Sequence, residues 1–212
     1  MSYYQERHRW YCGIDLHAST MFLSVCDATG NTVLHQNTKA DPDLLDKYLA
    51  PYIDDLVICC ECTFSWYWLA DWCEEQGIHF VLGHALAMRA IHQAKTKNDS
   101  KDADMIVRLL RTGLLPMSHV YDRKMRPVRD LMRRRHKLCQ IQTRFQQHSQ
   151  ILALTHKRQL LSKKLIHAAN RQEMHDYYED PVLQMSLEAD MAVIETVRQQ
   201  MKIIERRVMA HA

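Results

Sequence analysis

The sequence predicts an α/β domain, a mixed sheet with flanking helices, followed by a long helical region. Short apolar segments between residues 10 and 38 are spaced as a meander, and two further apolar runs alternate with helical stretches. Beyond Pro127, apolar side chains recur in steps of three and four with no Gly or Pro as far as Leu152.

The meander comprises WYCGIDL (10–16), MFLSVCD (21–27) and NTVLHQNT (31–38), with Ala28-Thr29-Gly30-Asn31 as the turn between the last two. A helix is expected from Asp41, its N-cap, with Pro42 at the first helical position and Leu44, Leu45, Tyr48, Leu49 and Tyr52 on its apolar face. LVICCE (56–61) has the continuous apolar texture of a strand covered on both faces. A helix over Trp66–Gln76 closes at Gly77, and IHFVLG (78–83) is a second buried strand. Ser100 can cap a helix to about Thr112, placing Asp102 and Asp104 in the first turn, where carboxylates suit the helix dipole.

In the second half, Val128, Leu131, Leu138, Ile141, Phe145 and Leu152 form one helical stripe, while Arg129, Arg133, Arg134, Arg135 and Lys137 cover other faces. Residues 156–180 are less regular, and MHDYYED before Pro181 suggests a loop or helix junction. From Leu187 a second helix carries Leu187, Met191, Ile194, Val197, Met201, Ile204 and Val208 at coiled-coil spacing. Residues 1–122 and 123–212 are the expected domains. The heptad pattern is still running at the last residues, which suggests a polypeptide shorter than its parent.

With 47% hydrophobic and 25% charged residues, and only 5 Gly and 5 Pro, the 212-residue chain is neither disordered nor collagen-like. No apolar run reaches the ~18 residues of a membrane span, and the opening MSYYQERHRW lacks a signal-peptide core, so a cytoplasmic protein with no membrane partner is expected. The seven Cys include Cys59, Cys60 and Cys62 in one apolar stretch, the pattern of reduced core thiols rather than of a disulfide framework or a zinc site.

The net charge of +3 conceals a segregation: residues 123–171 hold 14 Lys and Arg against the single acid Asp130. The flanking segments are acidic, with 16 acids to 10 bases before and 8 to 4 after. A basic block of this kind points to a polyanion, since each cation near a phosphate releases condensed counterions. Arg126, Arg129, Arg133, Arg134 and Lys137 are its candidate nucleic-acid contacts.

Asp15 near the end of the first strand and Glu61 at the end of the buried strand would both lie beyond strand carboxyl ends, where open α/β sheets form sites. Asp99 and Asp102, three apart at a helix start, can point to one side. Four oxygen ligands without Cys or His would select Mg²⁺, with Mn²⁺ as substitute. Loop acids and a helix cap are the competing explanation. His17 is the histidine nearest a candidate acid in sequence, in a supporting or a surface role. No phosphate-cradling glycine motif occurs.

The order of YCGIDLH (11–17), VICCECTFSWYWLADWCEEQG (57–77) and AKTKNDSKDADMIVRLL (94–110), followed by an Arg-rich helix, resembles the amino-terminal half of IS110-type transposases. The resemblance implies a ribonuclease H-like (RuvC-like) domain with a D, E, D, D acid set at Asp15, Glu61, Asp99 and Asp102, and Asp104 outside the motif. It implies a coiled-coil region over 126–212 that joins protomers into a homodimer or higher homo-oligomer and touches nucleic acid. It further implies DNA strand cleavage and transfer, a structured guide RNA, and a carboxyl-terminal domain with a nucleophilic Ser, to which no Ser of this chain corresponds. Two rival functions are a stand-alone metal-dependent endonuclease and a non-catalytic nucleic-acid-binding dimer. The self-association face would be Leu187, Met191, Ile194, Met201, Ile204 and Val208; packing against the 128–152 helix is the rival use of that stripe, and both hold at once in an antiparallel hairpin that then dimerises.

Overall fold

The computed structural model describes residues 2–91, 99–158, 174–175 and 177–211, and the chain divides into two compact units, Met1–Tyr121 and Asp122–Ala212. The first unit contains, in order, β1 (Trp10–Leu16), β2 (Thr20–Asp27), β3 (Thr32–Lys39), α1 (Pro42–Leu49), β4 (Leu56–Glu61), α2 (Trp66–Gln76), β5 (His79–Gly83), α3 (Ala85–Ile91) and α4 (Asp99–Arg111). The sheet order is β3-β2-β1-β4-β5. β1, β2 and β3 pair antiparallel, whereas β4 pairs parallel with both β1 and β5, so the sheet is mixed as the sequence predicts.

Alternation along the strands explains why β1 and β4 look uniformly apolar. Cys12, Ile14, Ile58 and Cys60 face a core completed by Leu45 and Leu49 of α1 and Trp66, Leu69 and Cys73 of α2. Tyr11, Val57, Cys59 and Val81 face the other side, beneath Met88 of α3 and Ile106, Val107 and Leu110 of α4. A central strand covered twice needs no polar residue in its interior. Asp41 caps α1 by accepting from the Asp43 N–H at 3.0 Å, with Pro42 at the first position. Gly77 ends α2 in the left-handed region at φ 68°, donating to the Cys73 and Glu74 carbonyls.

α1 ends at Leu49, so Tyr52 lies in the 3-10 helix Ala50–Asp55 beyond it and not on the α1 face, and two further boundaries differ from expectation. α4 already includes Asp99, so Ser100 lies within the helix instead of capping it, and its hydroxyl stands 3.4 Å from His35 Nε2. In the second unit, α5 spans Arg126–Thr155, and α6 spans Pro181–Met209 instead of starting at Leu187. Asp180 caps α6, accepting from the Val182 and Leu183 N–H groups, and Pro181 occupies the first turn. The early part of α6 carries little of the buried seam, so apolar periodicity located the helix late.

α5 and α6 run antiparallel. Arg135 pairs with Glu205 at 2.7 Å, and His148 pairs with Asp190 at 2.7 Å. Between them Leu138 packs with Val197 and Met201, and Ala153 packs with Leu187 and Met191. Leu187 and Ile194 have no exposed surface. Leu187, Met191, Ile194 and Met201 of the expected stripe are therefore buried within one chain, whereas Ile204 and Val208 keep part of their surface. Among the described residues, no helix is long and apolar enough to cross a membrane.

Candidate acid site at the carboxyl end of the sheet

The parallel register of β1 and β4 pairs Gly13 with Cys59 and Ile14 with Cys60. One residue further on, Asp15 and Glu61 come level at the carboxyl ends of the two central strands. Strand alternation puts both on the face of Gly13 and Cys59, which α4 covers. That cover is close, because a Cβ on Gly13 would lie 2.5 Å from both the Ala103 carbonyl oxygen and the Val107 nitrogen. Glycine in the middle of a strand here permits helix backbone to rest on strand backbone. The amino-terminal turn of α4, with Asp102 beside Ala103, is thereby brought toward the end of β1 that carries Asp15.

A polar lock fixes the same end of α4 to β2 and β3. Ser24 Oγ donates to Asp104 Oδ1 at 2.6 Å, and His35 Nε2 stands 3.1 Å from that oxygen. The His35 ring packs edge-on against Phe22 at 4.6 Å, and Phe22 is the register partner of Asp15 on β2. Ser24 and His35 were not legible as site-positioning residues from sequence. The available signal was Ser24 itself, a hydroxyl inside the apolar MFLSVCD strand.

His17 Nε2 lies 3.4 Å from Asp15 Oδ2, with its ring partly exposed. Beyond Glu61 the chain turns sharply: the Cys62 N–H donates to the Gly83 carbonyl and the Thr63 N–H to the Glu61 carbonyl, each at 2.8 Å. Ser65 Oγ donates to the Leu16 carbonyl at 3.4 Å, tying this loop to the end of β1.

Asp15, Glu61 and Asp102 are partly buried at this end of the unit, whereas the Asp99 side chain and residues 92–98, which include most of the Lys-Thr portion of the motif, lie outside the described residues. Among the described residues, no three His, Cys, Asp or Glu side chains form a group that could hold a metal ion. The nearby thiols are poor competitors as ligands. Burial pushes Cys59 and Cys60 well up from the ordinary thiol range and keeps them protonated. Asp15, Glu61 and Asp102 offer carboxylate oxygens at this end, donors that suit a hard divalent cation, with the His17 imidazole beside Asp15.

A family described as a transposase, the IS110-type DEDD transposase family, matches residues 12–175. The chain belongs to this family. In this IS110-type transposase the mixed sheet and its helices are the ribonuclease H-like α/β fold, and DNA is the partner the family implies. The matched span takes in all four sequence-derived acids and the whole of α5. No curated protein matches the chain.

On α5 of the transposase, steps of three and four set Arg126, Arg129, Arg133 and Lys137 on one side, away from Leu138, Gln142, Ser149 and Ala153 in the seam. Arg133, Arg134 and Lys137 are exposed, and Arg129 lies 3.5 Å from Asp130. Arg126 is 7% exposed and Arg129 is partly buried, so two of the five candidate contacts are withdrawn from solvent, Arg126 the more so. Ser149, fully buried, hydrogen-bonds through Oγ to Asp190 Oδ2 at 2.9 Å, and His148 Nδ1 meets the same oxygen at 2.7 Å. Both side chains converge on the carboxylate, so the trio joins α5 to α6 and presents no serine activated by histidine.

Proposed function

We propose that this transposase chain cleaves and transfers DNA strands through Asp15, Glu61, Asp99 and Asp102, which hold Mg²⁺, or Mn²⁺ in its place. The observation that carries the reading is the placement of Asp15 beside Glu61 on neighbouring parallel strands, under the face covered by α4. A divalent cation bound there supplies Lewis-acid polarisation of a phosphoryl oxygen and neutralises developing charge. Asp15 and Glu61 would hold it from the sheet, and Asp99 and Asp102 from the first turns of α4. The Gly13–Ala103 contact and the Ser24–Asp104–His35 lock keep helix and sheet in register, so the two pairs of acids approach one another without a large reordering. His17 orients Asp15 from the solvent side.

The exposed Arg133, Arg134 and Lys137 support phosphate binding along α5, for DNA and for a structured guide RNA. No serine of the chain is assigned as nucleophile.

Calorimetric titration with Mn²⁺, alongside a plasmid assay that scores nicks, joined products and protein-linked strands separately, tests the proposal. Asp15→Asn and Glu61→Gln should each weaken Mn²⁺ binding by at least about 10-fold and abolish strand cleavage. Unchanged Mn²⁺ affinity in both variants rejects the acid site. Nicks without joined or protein-linked strands would instead mark a hydrolytic nuclease.

A further inference from the structure

Two large apolar side chains stand in solvent beyond the carboxyl ends of adjacent strands, Phe64 on the loop after β4 and Leu86 in the first turn of α3. Glu61 and Gly83, the last residues of β4 and β5, are register partners. Three residues beyond each lie Phe64, 78% exposed, and Leu86, 74% exposed. Phe64 is the most exposed large hydrophobic residue among the described residues.

The Phe64 loop is fastened on both sides. Cys62 and Thr63 are held by backbone hydrogen bonds to Gly83 and Glu61, Ser65 by its hydroxyl to Leu16, and Trp66, 1% exposed, anchors the start of α2 in the core. The short loop thus presents the ring to solvent from a tethered backbone. Three residues of chain span at most about 10 Å, so Phe64 stays within a nucleotide's reach of Glu61. An aromatic face stacks on any base, and Phe and Leu are typical wedges at opened base steps.

We propose that Phe64 receives an unpaired nucleobase next to the phosphate held at Asp15 and Glu61. The preferred substrate is then DNA opened at the cleavage step. This inference rests on the acid-site reading above.

The test uses the full chain and three fluorescent DNA probes of about 20 nucleotides: a single strand, a paired duplex, and the same duplex with a central unpaired bubble. The wild type should bind the single strand and the bubble more tightly than the paired duplex. Phe64→Ala should lower affinity for the two opened probes by between about 5-fold and 150-fold, the equivalent of ~1–3 kcal/mol per stacked base, and leave paired-duplex binding and the melting temperature near wild type. Phe64→Trp should restore opened-DNA binding. Equal affinity of wild type and Phe64→Ala for the bubble, or no wild-type preference for opened DNA, overturns the inference. Asp15→Asn separates the two proposals: it should lose Mn²⁺ binding and keep the preference for opened DNA. Unaltered Mn²⁺ binding in that variant counts against the acid site alone.

Discussion

A Cβ on Gly13 would lie 2.5 Å from the carbonyl oxygen of Ala103, so β1 and α4 meet backbone to backbone. This contact sets the height of α4 above the sheet and, with it, the approach of Asp102 to the end of β1. Neither neighbour is the yielding tip of a side chain, since the second close atom is the Val107 nitrogen at 2.5 Å.

Gly13→Ala should therefore lift α4 and cost about 1–3 kcal/mol in urea unfolding, the range of overpacked cores. If the acid site is assembled as proposed, Mn²⁺ affinity should fall as well, although no carboxylate has changed. A variant with wild-type stability would show that α4 is not seated by this contact.

Replacing Arg133, Arg134 and Lys137 by Gln should weaken nucleic-acid binding and flatten its dependence on salt. On duplex DNA each lost phosphate contact lowers the slope of log affinity against log salt by about 0.9. All three side chains are exposed, so far-ultraviolet circular dichroism should stay at wild type. An unchanged slope would place the phosphate contacts elsewhere.

Ile194→Asp introduces an uncompensated charge where the side chain has no exposed surface, and should destabilise the helical hairpin by roughly 3–5 kcal/mol. Thermal unfolding followed by circular dichroism reads the loss, and sedimentation run in parallel reads the association state. A variant that keeps its melting temperature and only dissociates an oligomer would return this stripe to a contact between chains.

The turn between β2 and β3 should show a defined acid dependence. Asp27 Oδ1 accepts from the Thr29 hydroxyl at 2.7 Å and from the N–H groups of Thr29, Gly30 and Asn31 at 2.8–2.9 Å. The Thr29 hydroxyl first, and then the Asn31 N–H, hold the carboxyl well below its usual range. A depressed carboxylate stabilises the fold above its unfolded value of ~3.9, and that contribution disappears as pH falls through the lower folded value. Asp27→Ala should melt below wild type at neutral pH, with the gap closing in strong acid. A gap independent of pH would mean that the ionised carboxylate is not what organises the turn.

The sequence by itself determined the strands, their mixed pairing class and the existence of both long helices. Binary pattern, Asp41-Pro42 and Gly77 act within a few residues of the chain and leave local marks. It also marked Asp15 and Glu61 as strand-end acids, because a carboxylate closing an apolar run is visible without knowing its neighbour. Tertiary structure decided what those elements face. The apolar stripe of α6 has the same spacing whether its partner is α5 or a second chain, and only the antiparallel packing of Ala153 on Leu187 and Leu138 on Met201 showed that α5 covers its buried part. Likewise Ser24, His35 and Asp104 are separated by up to 80 residues, and nothing local to any of them announces a hydrogen bond closed by the fold. Periodicity records whether a side chain is buried, whereas the atoms that bury it are fixed by long-range packing.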